Sequence, residues 1–199
     1  LSALKKYFPN LVMFDSVLAS GFSDGSALVE VPTLMMGGAA LQSGAISIPM
    51  GGKILEENRT FASLIGPSQK AVISKLTEER HRVAKSFGVR NLPSPAKMID
   101  TYGGSLRGDY SRPIPSQKMS KSLLRCGVIG SLVPLQSAGK IANVQVPVTD
   151  AMITLASSIL GADVSAAGRR LEAIGIDSGD IDTARRAMDA IATGEKYGR

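Results

Sequence analysis

The chain has a single cysteine, a single histidine and few aromatic residues, 5% of 199. Each shortage closes a class of explanation. One cysteine excludes an internal disulfide framework and points to a reducing compartment, the cytoplasm. Flanked by Leu124 and Val128, Cys126 reads as a small buried apolar residue rather than a nucleophile. With His81 as the only imidazole, no Cys/His or Ser/His partnership has a choice of base. Its setting in Glu-Glu-Arg-His-Arg predicts a charged, solvated helix face. No His/Cys/Asp/Glu spacing suggests a metal. Lys, Asp, Gly and Pro interrupt every apolar run before the roughly 18 residues of a membrane helix, so a soluble domain without a membrane partner is expected. Leu1–Asn10 lacks a secretory pattern and reads as the middle of a protein. Finally, no Gly-x-Gly-x-x-Gly turn follows a strand. Gly37-Gly38, Gly51-Gly52 and Gly103-Gly104 lack the spacing that lets backbone amides cradle a pyrophosphate at a helix N-terminus.

What is present describes one globular domain, 44% apolar and 20% charged, with enough chain for a core. The 23 basic and 17 acidic residues leave a net charge of +6. The cations fall in short clusters, Lys5-Lys6, Arg80–Arg82, Arg169-Arg170 and Arg185-Arg186, among acidic neighbours and with few aromatics to stack bases. Nucleic acid is therefore not expected. An anionic small molecule would use the same balance.

Periodicity gives an outline. Leu1–Phe8 reads as a helix and Leu11–Leu18 as a strand. Ser26–Gln42 reads as a buried helix with Ser26 as cap and Pro32 as kink. Ile46–Thr60 carries hairpin or loop signals. Pro67 opens a long helix whose Val72, Ile73, Leu76, Val83, Ala84 and Phe87 recur at helical spacing up to Gly88. A short helix follows over Pro95–Tyr102, then a loop, Gly103–Ser116, of a length that is often functional. Gln117–Ala142 is expected as a helix broken at Pro134. Pro147 and Thr149 precede a run, Met152, Leu155, Ala156 and Ile159, that stops at Gly161. Asp163 opens a second run that stops at Gly175, and Asp180–Thr193 closes the chain with Ile181, Ala184, Met188 and Ile191 inward. Met13, Met35, Met36, Met50 and Met152 read as gap-filling core.

The order Leu-Val-Pro-Leu, Gly-Lys, Val-Pro-Val-Thr-Asp-Ala, Ala-Ser-Ser-Ile-Leu-Gly and Gly-Arg-Arg-Leu-Glu-Ala-Ile-Gly-Ile within Leu132–Ile176 resembles the C-terminal helical domain of octopine/nopaline-type opine dehydrogenases. Ile65–Val89 is similar to the long helix of that domain, and Leu1–Gly38 matches more weakly. The resemblance implies a mainly α fold, a helical bundle of the 6-phosphogluconate-dehydrogenase C-terminal type. It implies a short N-terminal β/α segment, residues 1–20, as the tail of or linker from an absent dinucleotide-binding domain, and residues 21–199 as the substrate-binding and dimerisation domain. The implied reaction is reductive condensation of an amino acid with a 2-oxo acid, or a related 2-oxo/2-hydroxy acid reaction, in a homodimer. NAD or NADP would be bound mainly by the absent domain, leaving the isolated piece inactive.

The family pattern has a histidine on the first long helix and an arginine and an aspartate before Leu-Val-Pro. Alignment places Val29 at the histidine, Met36 at an expected asparagine, Ser122 at the arginine and Gly127 at the aspartate. An altered proton carrier follows, with Glu30, Asp24 and Lys53 as candidates, since the chemistry needs an acid/base at the carbonyl or imine. Arg107, Arg112, Lys121 and Arg125 are candidate carboxylate holders and Tyr110 a candidate substrate contact. For each charge the alternative is a solvated surface residue or an ion-pair member, and Tyr102 and Tyr110 either line a pocket or anchor the loop. Two other readings stay open: a catalytically silent ligand-binding module on the same fold, and an oligomerisation domain.

Overall fold

The computed structural model of the protein describes residues 2–9, 11, 13–14, 16–37, 49–50, 53–54, 60–104, 112–176 and 180–193. The fold is mainly helical: α1 (Ser2–Lys5), α2 (Val17–Ser23), α3 (Ser26–Met36), α4 (Pro67–Ser86), α5 (Pro95–Met98), α6 (Gln117–Gly127), α7 (Val133–Ile141), α8 (Pro147–Leu160) and α9 (Ile181–Thr193). Two residue pairs, β1 (Pro49–Met50) and β2 (Lys53–Ile54), form an antiparallel hairpin, within the segment expected to turn. Gly51 and Gly52 between them lie outside the described residues.

The core forms around α3, whose Ala27, Leu28, Val29, Val31, Pro32, Thr33 and Leu34 are all buried. An apolar helix with so little solvent face has to be covered on most sides, and α4, α6, α8 and the turn at Ile99–Gly103 cover it. Against α6 the two helices are in tight contact at Gly127, where a Cβ would lie 3.0 Å from Val31 Cγ2 and 3.3 Å from Ala27 Cβ. The missing side chain is what lets the two helices meet there. The start of α3 differs from expectation. Gly25, not Ser26, holds the cap position, and Asp24 Oδ1 accepts the Ser26 N–H at 3.0 Å.

The long helix α4 matches its sequence pattern, with Ile73, Leu76, Val83 and Ala84 buried and Phe87 beyond its end also in the core. Downstream, the break expected at Pro134 is a wide turn, Val128–Leu132, in which the Val133 N–H donates to the Val128 carbonyl. Proline has no N–H, and its ring collides with the carbonyl four residues back. Widening the preceding turn relieves both problems while the chain stays helical.

α8 begins at Pro147 after Val146, which has no side chain able to cap. Its cap comes from far away. Glu79 on α4 accepts the Val148 N–H at 2.8 Å, the Thr149 N–H at 2.9 Å and the Thr149 hydroxyl at 2.8 Å. A buried carboxylate at a helix N-terminus satisfies orphan donors and meets the positive end of the helix dipole. This pin joins two helices across the bundle.

Several sequence expectations need correction. The described residues of Leu11–Leu18 form no strand, and Val17 and Leu18 start α2 behind the Ser16 cap. A short apolar run fits either structure, and α2 packs against α9. α1 is a single turn and α3 ends at Met36. The run after Asp163 forms turns and one 3₁₀ turn, Leu171–Ile174, rather than a helix. Its amides bond elsewhere: Arg169 N–H to the Ile129 carbonyl and Leu171 N–H to Ser137 Oγ. Leu155 and Ile159 are 50% and 42% exposed instead of inward, and Ile191 and Met13 are exposed too. Cys126 is exposed. Gly161 and Gly175 do terminate their segments in left-handed geometry, at φ 62° and 81°.

Candidate functional site

Two groups of charged side chains stand out, and both begin on or beside α3. In the first, Arg112 Nη2 lies 2.6 Å from Glu30 Oε1, both partly buried. Arg112 Nη1 donates to the Tyr102 carbonyl at 3.0 Å, and the guanidinium carbon stacks 4.2 Å above the Phe61 ring. The backbone holds this group in place: Phe61 N–H donates to the Arg112 carbonyl at 2.7 Å, and Thr60 bridges to Pro113. A planar guanidinium suits such a setting, with one edge for a carboxylate and one face for a ring. Tyr102 packs against the core.

The second group lines a cavity of about 340 Å³ between α2, α4, α7 and α9. Its wall is largely apolar, including Phe22, Leu28, Phe87, Leu135, Ile174 and Met188, and it carries two charges, Asp24 and Arg80. Arg80 is only 3% exposed. One guanidinium nitrogen, Nη2, contacts Met98 Sδ at 3.6 Å. Nε and Nη1 are buried and have no acceptor among the described residues. Burial pushes this arginine down to about 10, against the opposing pull of Tyr102 and Asp24. Arg80 was expected on a solvated face, and the structure corrects that. It lies four residues after Leu76 and three before Val83, in register with the apolar stripe of α4, and this register was the available signal.

His81 is also more enclosed than expected, half-buried with Nε2 3.1 Å from the Pro93 carbonyl. Burial lowers its affinity for a proton, the Pro93 carbonyl opposes that, and Arg80 adds to the lowering.

Among the sequence candidates, then, the fold brings Glu30 and Arg112 together and sets Asp24 at the Arg80 cavity. Lys121 and Arg125 are exposed on α6, outside both groups. Lys53 belongs to β2, where only its backbone is described. Arg107 and Tyr110 lie outside the described residues. Of the positions aligned with family residues, Val29 is 0% exposed in the core, Gly127 is the close helix contact, and Ser122 and Met36 are exposed.

Among the described residues no group of three or more His, Cys, Asp or Glu is placed to hold a metal, and no helix is long and apolar enough to cross a membrane. The positive-φ glycines, 88, 104, 161 and 175, do not join a strand to a helix. The described residues therefore do not fit a dinucleotide pyrophosphate.

No protein-family profile matches the chain. The chain is 25% identical over 186 residues to "Opine dehydrogenase" of Arthrobacter sp. (strain 1C), an alignment covering 88% of this chain and 48% of that protein. This supports a distant, family-level relationship, and the chain spans about half the length of the curated relative it matches.

Proposed function

We propose that the chain is the substrate-side helical part of a nicotinamide-dependent oxidoreductase related to opine dehydrogenase, acting on an amino acid and a 2-oxo acid as a homodimer. NAD or NADP would be held mainly by a dinucleotide-binding domain outside these 199 residues, which by themselves would not turn over. Residues 1–20 would be the tail of, or linker from, that domain, and residues 21–199 the helical substrate-binding and dimerisation domain.

The observation that carries this reading is the Glu30–Arg112 pair on the helical scaffold. Arg112 already holds a carboxylate at 2.6 Å, the geometry a substrate acid requires. A substrate carboxylate that takes Glu30's place on the guanidinium releases Glu30 as a proton carrier one position from Val29, where the resemblance expects the histidine. Condensation of amine with ketone expels water, and that step needs such a carrier. Arg107, Lys121 and Arg125 remain candidates for the second carboxylate, and Tyr110 for a further substrate contact. Asp24 and Lys53 are the alternative carriers.

The test is oxidation of NADH or NADPH by the longest native polypeptide carrying these residues, with amino acids paired with pyruvate or 2-oxoglutarate. Turnover should need both organic substrates. Glu30→Gln should lower kcat by about 10²-fold or more, whereas Arg112→Met should mainly raise KM. Wild-type constants in both variants would refute the assignment. A silent ligand-binding module is the second reading, favoured by the complete burial of Val29; it predicts substrate binding without turnover for any pair.

A further inference from the structure

We propose that the cavity between α2, α4, α7 and α9 is a second binding site, distinct from the Glu30–Arg112 pair, for a monocarboxylic acid with an apolar body whose carboxylate pairs with Arg80. The proposal does not depend on the oxidoreductase reading.

An arginine this deep is normally matched by a carboxylate or by several carbonyls, because an unmatched buried charge is costly. Arg80 has neither among the described residues. Its contacts are a thioether sulfur at one nitrogen and no acceptor at the other two. Glu79, the adjacent acid, points away and is fully engaged at the start of α8. Asp24, the anion on the same wall, is exposed and accepts the Ser26 N–H. The local backbone is also shaped around the guanidinium. Gly25 is buried, and a Cβ there would overlap the Met98 methyl and lie 2.8 Å from Arg80 Nη1. Any other residue at 25 would displace both.

The remaining wall defines the rest of the ligand. It offers rings and branched aliphatic side chains from four helices, so the body of the ligand is apolar. A cavity of about 340 Å³ is in the size range of small-molecule sites and has room for a medium-chain acid such as octanoate. Asp24 on the wall opposes a second carboxylate. An amine would face Arg80, and an alcohol would leave the charge unmatched. Nε and Nη1 have almost no exposed area, so the acid reaches them when the flexible Met98 and Arg80 side chains shift.

The test titrates the 199-residue chain with octanoate by calorimetry and with carboxyl-¹³C octanoate by NMR, alongside octanol, octylamine and the eight-carbon dicarboxylate. Saturable one-to-one binding of octanoate is expected, with the other three at least about tenfold weaker. Arg80→Met should weaken octanoate by at least about tenfold while the melting temperature holds or rises, since a buried unmatched charge is removed. Ala138→Leu, which fills cavity space without touching the charge, should weaken it as well and keeps the test decisive if Arg80→Met fails to fold. Absence of saturable octanoate binding, equal binding of octanol, or wild-type affinity in Ala138→Leu or in a folded Arg80→Met protein would each overturn the proposal.

Discussion

Removing the Glu79 carboxylate should be among the most damaging single changes to this fold. The side chain is buried, and its two oxygens accept three hydrogen bonds from the first turn of α8. Glu79→Ala strands the Val148 and Thr149 amides and the Thr149 hydroxyl. Hydrogen bonds to a charged group contribute about 1.5–3 kcal/mol each before desolvation is counted, and a lost cap alone costs about 1 kcal/mol. Desolvation of the carboxylate offsets part of this sum. The net loss should be about 3–5 kcal/mol, on the order of 10 °C in Tm for a domain of this size. Glu79→Gln keeps the shape but turns an amide NH₂ toward an N–H donor, and should cost about 2 kcal/mol. Thr149→Val removes one bond and should cost about 1 kcal/mol. Urea unfolding of the three variants and of the Gln/Val double mutant measures these values, and the double mutant should lose less than the sum because the two side chains share one bond. A Glu79→Ala protein within about 1 kcal/mol of wild type would show that desolvation cancels the cap and that α8 is held by packing alone.

Acidification should expose His81. Burial lowers its folded-state proton affinity below the ordinary 6.5, so the unfolded chain binds the proton first as pH falls. Its contribution is fully present above about 6.5 and is lost as pH drops through the folded value. Urea midpoints from about pH 8 to about pH 5 should decline in wild type and stay nearly level in His81→Gln; equal slopes would remove His81 as the cause. Asp163, Glu172 and Asp180 are held below the usual carboxylate range, each first by a hydroxyl hydrogen bond, from Ser165, Ser137 and Thr183 respectively. Their contributions should fail only at lower pH. Gly127→Asp, which restores the acid that the family pattern expects, should cost about 2–3 kcal/mol because a Cβ there already lies 3.0 Å from Val31. A neutral substitution would mean that α3 and α6 separate easily.

The parts of the fold that were legible in sequence are those set by local chemistry. Pro67 and the apolar spacing specify α4, Pro134 marks the widened turn, and Gly161 and Gly175 end their segments in the geometry only glycine adopts readily. The misreadings share a different cause, long-range contacts. The apolar run Leu11–Leu18 is short enough to be strand or helix until its end, Val17 and Leu18, packs in α2 beside α9. The segment after Asp163 has helical spacing, yet Ile129 and Ser137 take its amides. The cap of α8 lies about seventy residues away in sequence, where no local capping motif can show it.

Arg80 shows how the candidate site escaped notice for the same reason. In Glu-Glu-Arg-His-Arg every residue carries or can carry charge, and composition alone assigns such a stretch to solvent. Helical register divides it. Glu78 and Arg82 are exposed, whereas Glu79 and Arg80 are on the stripe with Leu76 and Val83 and are buried. Once inward, the two charges have different fates. Glu79 finds the donors of α8, and Arg80 finds a cavity wall where no described residue gives its Nε and Nη1 an acceptor. Folding alone gains from the first and loses from the second, because a buried charge without a partner lowers stability. A methionine or leucine at position 80 would fit the apolar stripe without that cost. The charge is therefore the part of this helix that folding does not explain, and an acid in the adjoining cavity supplies the partner it lacks.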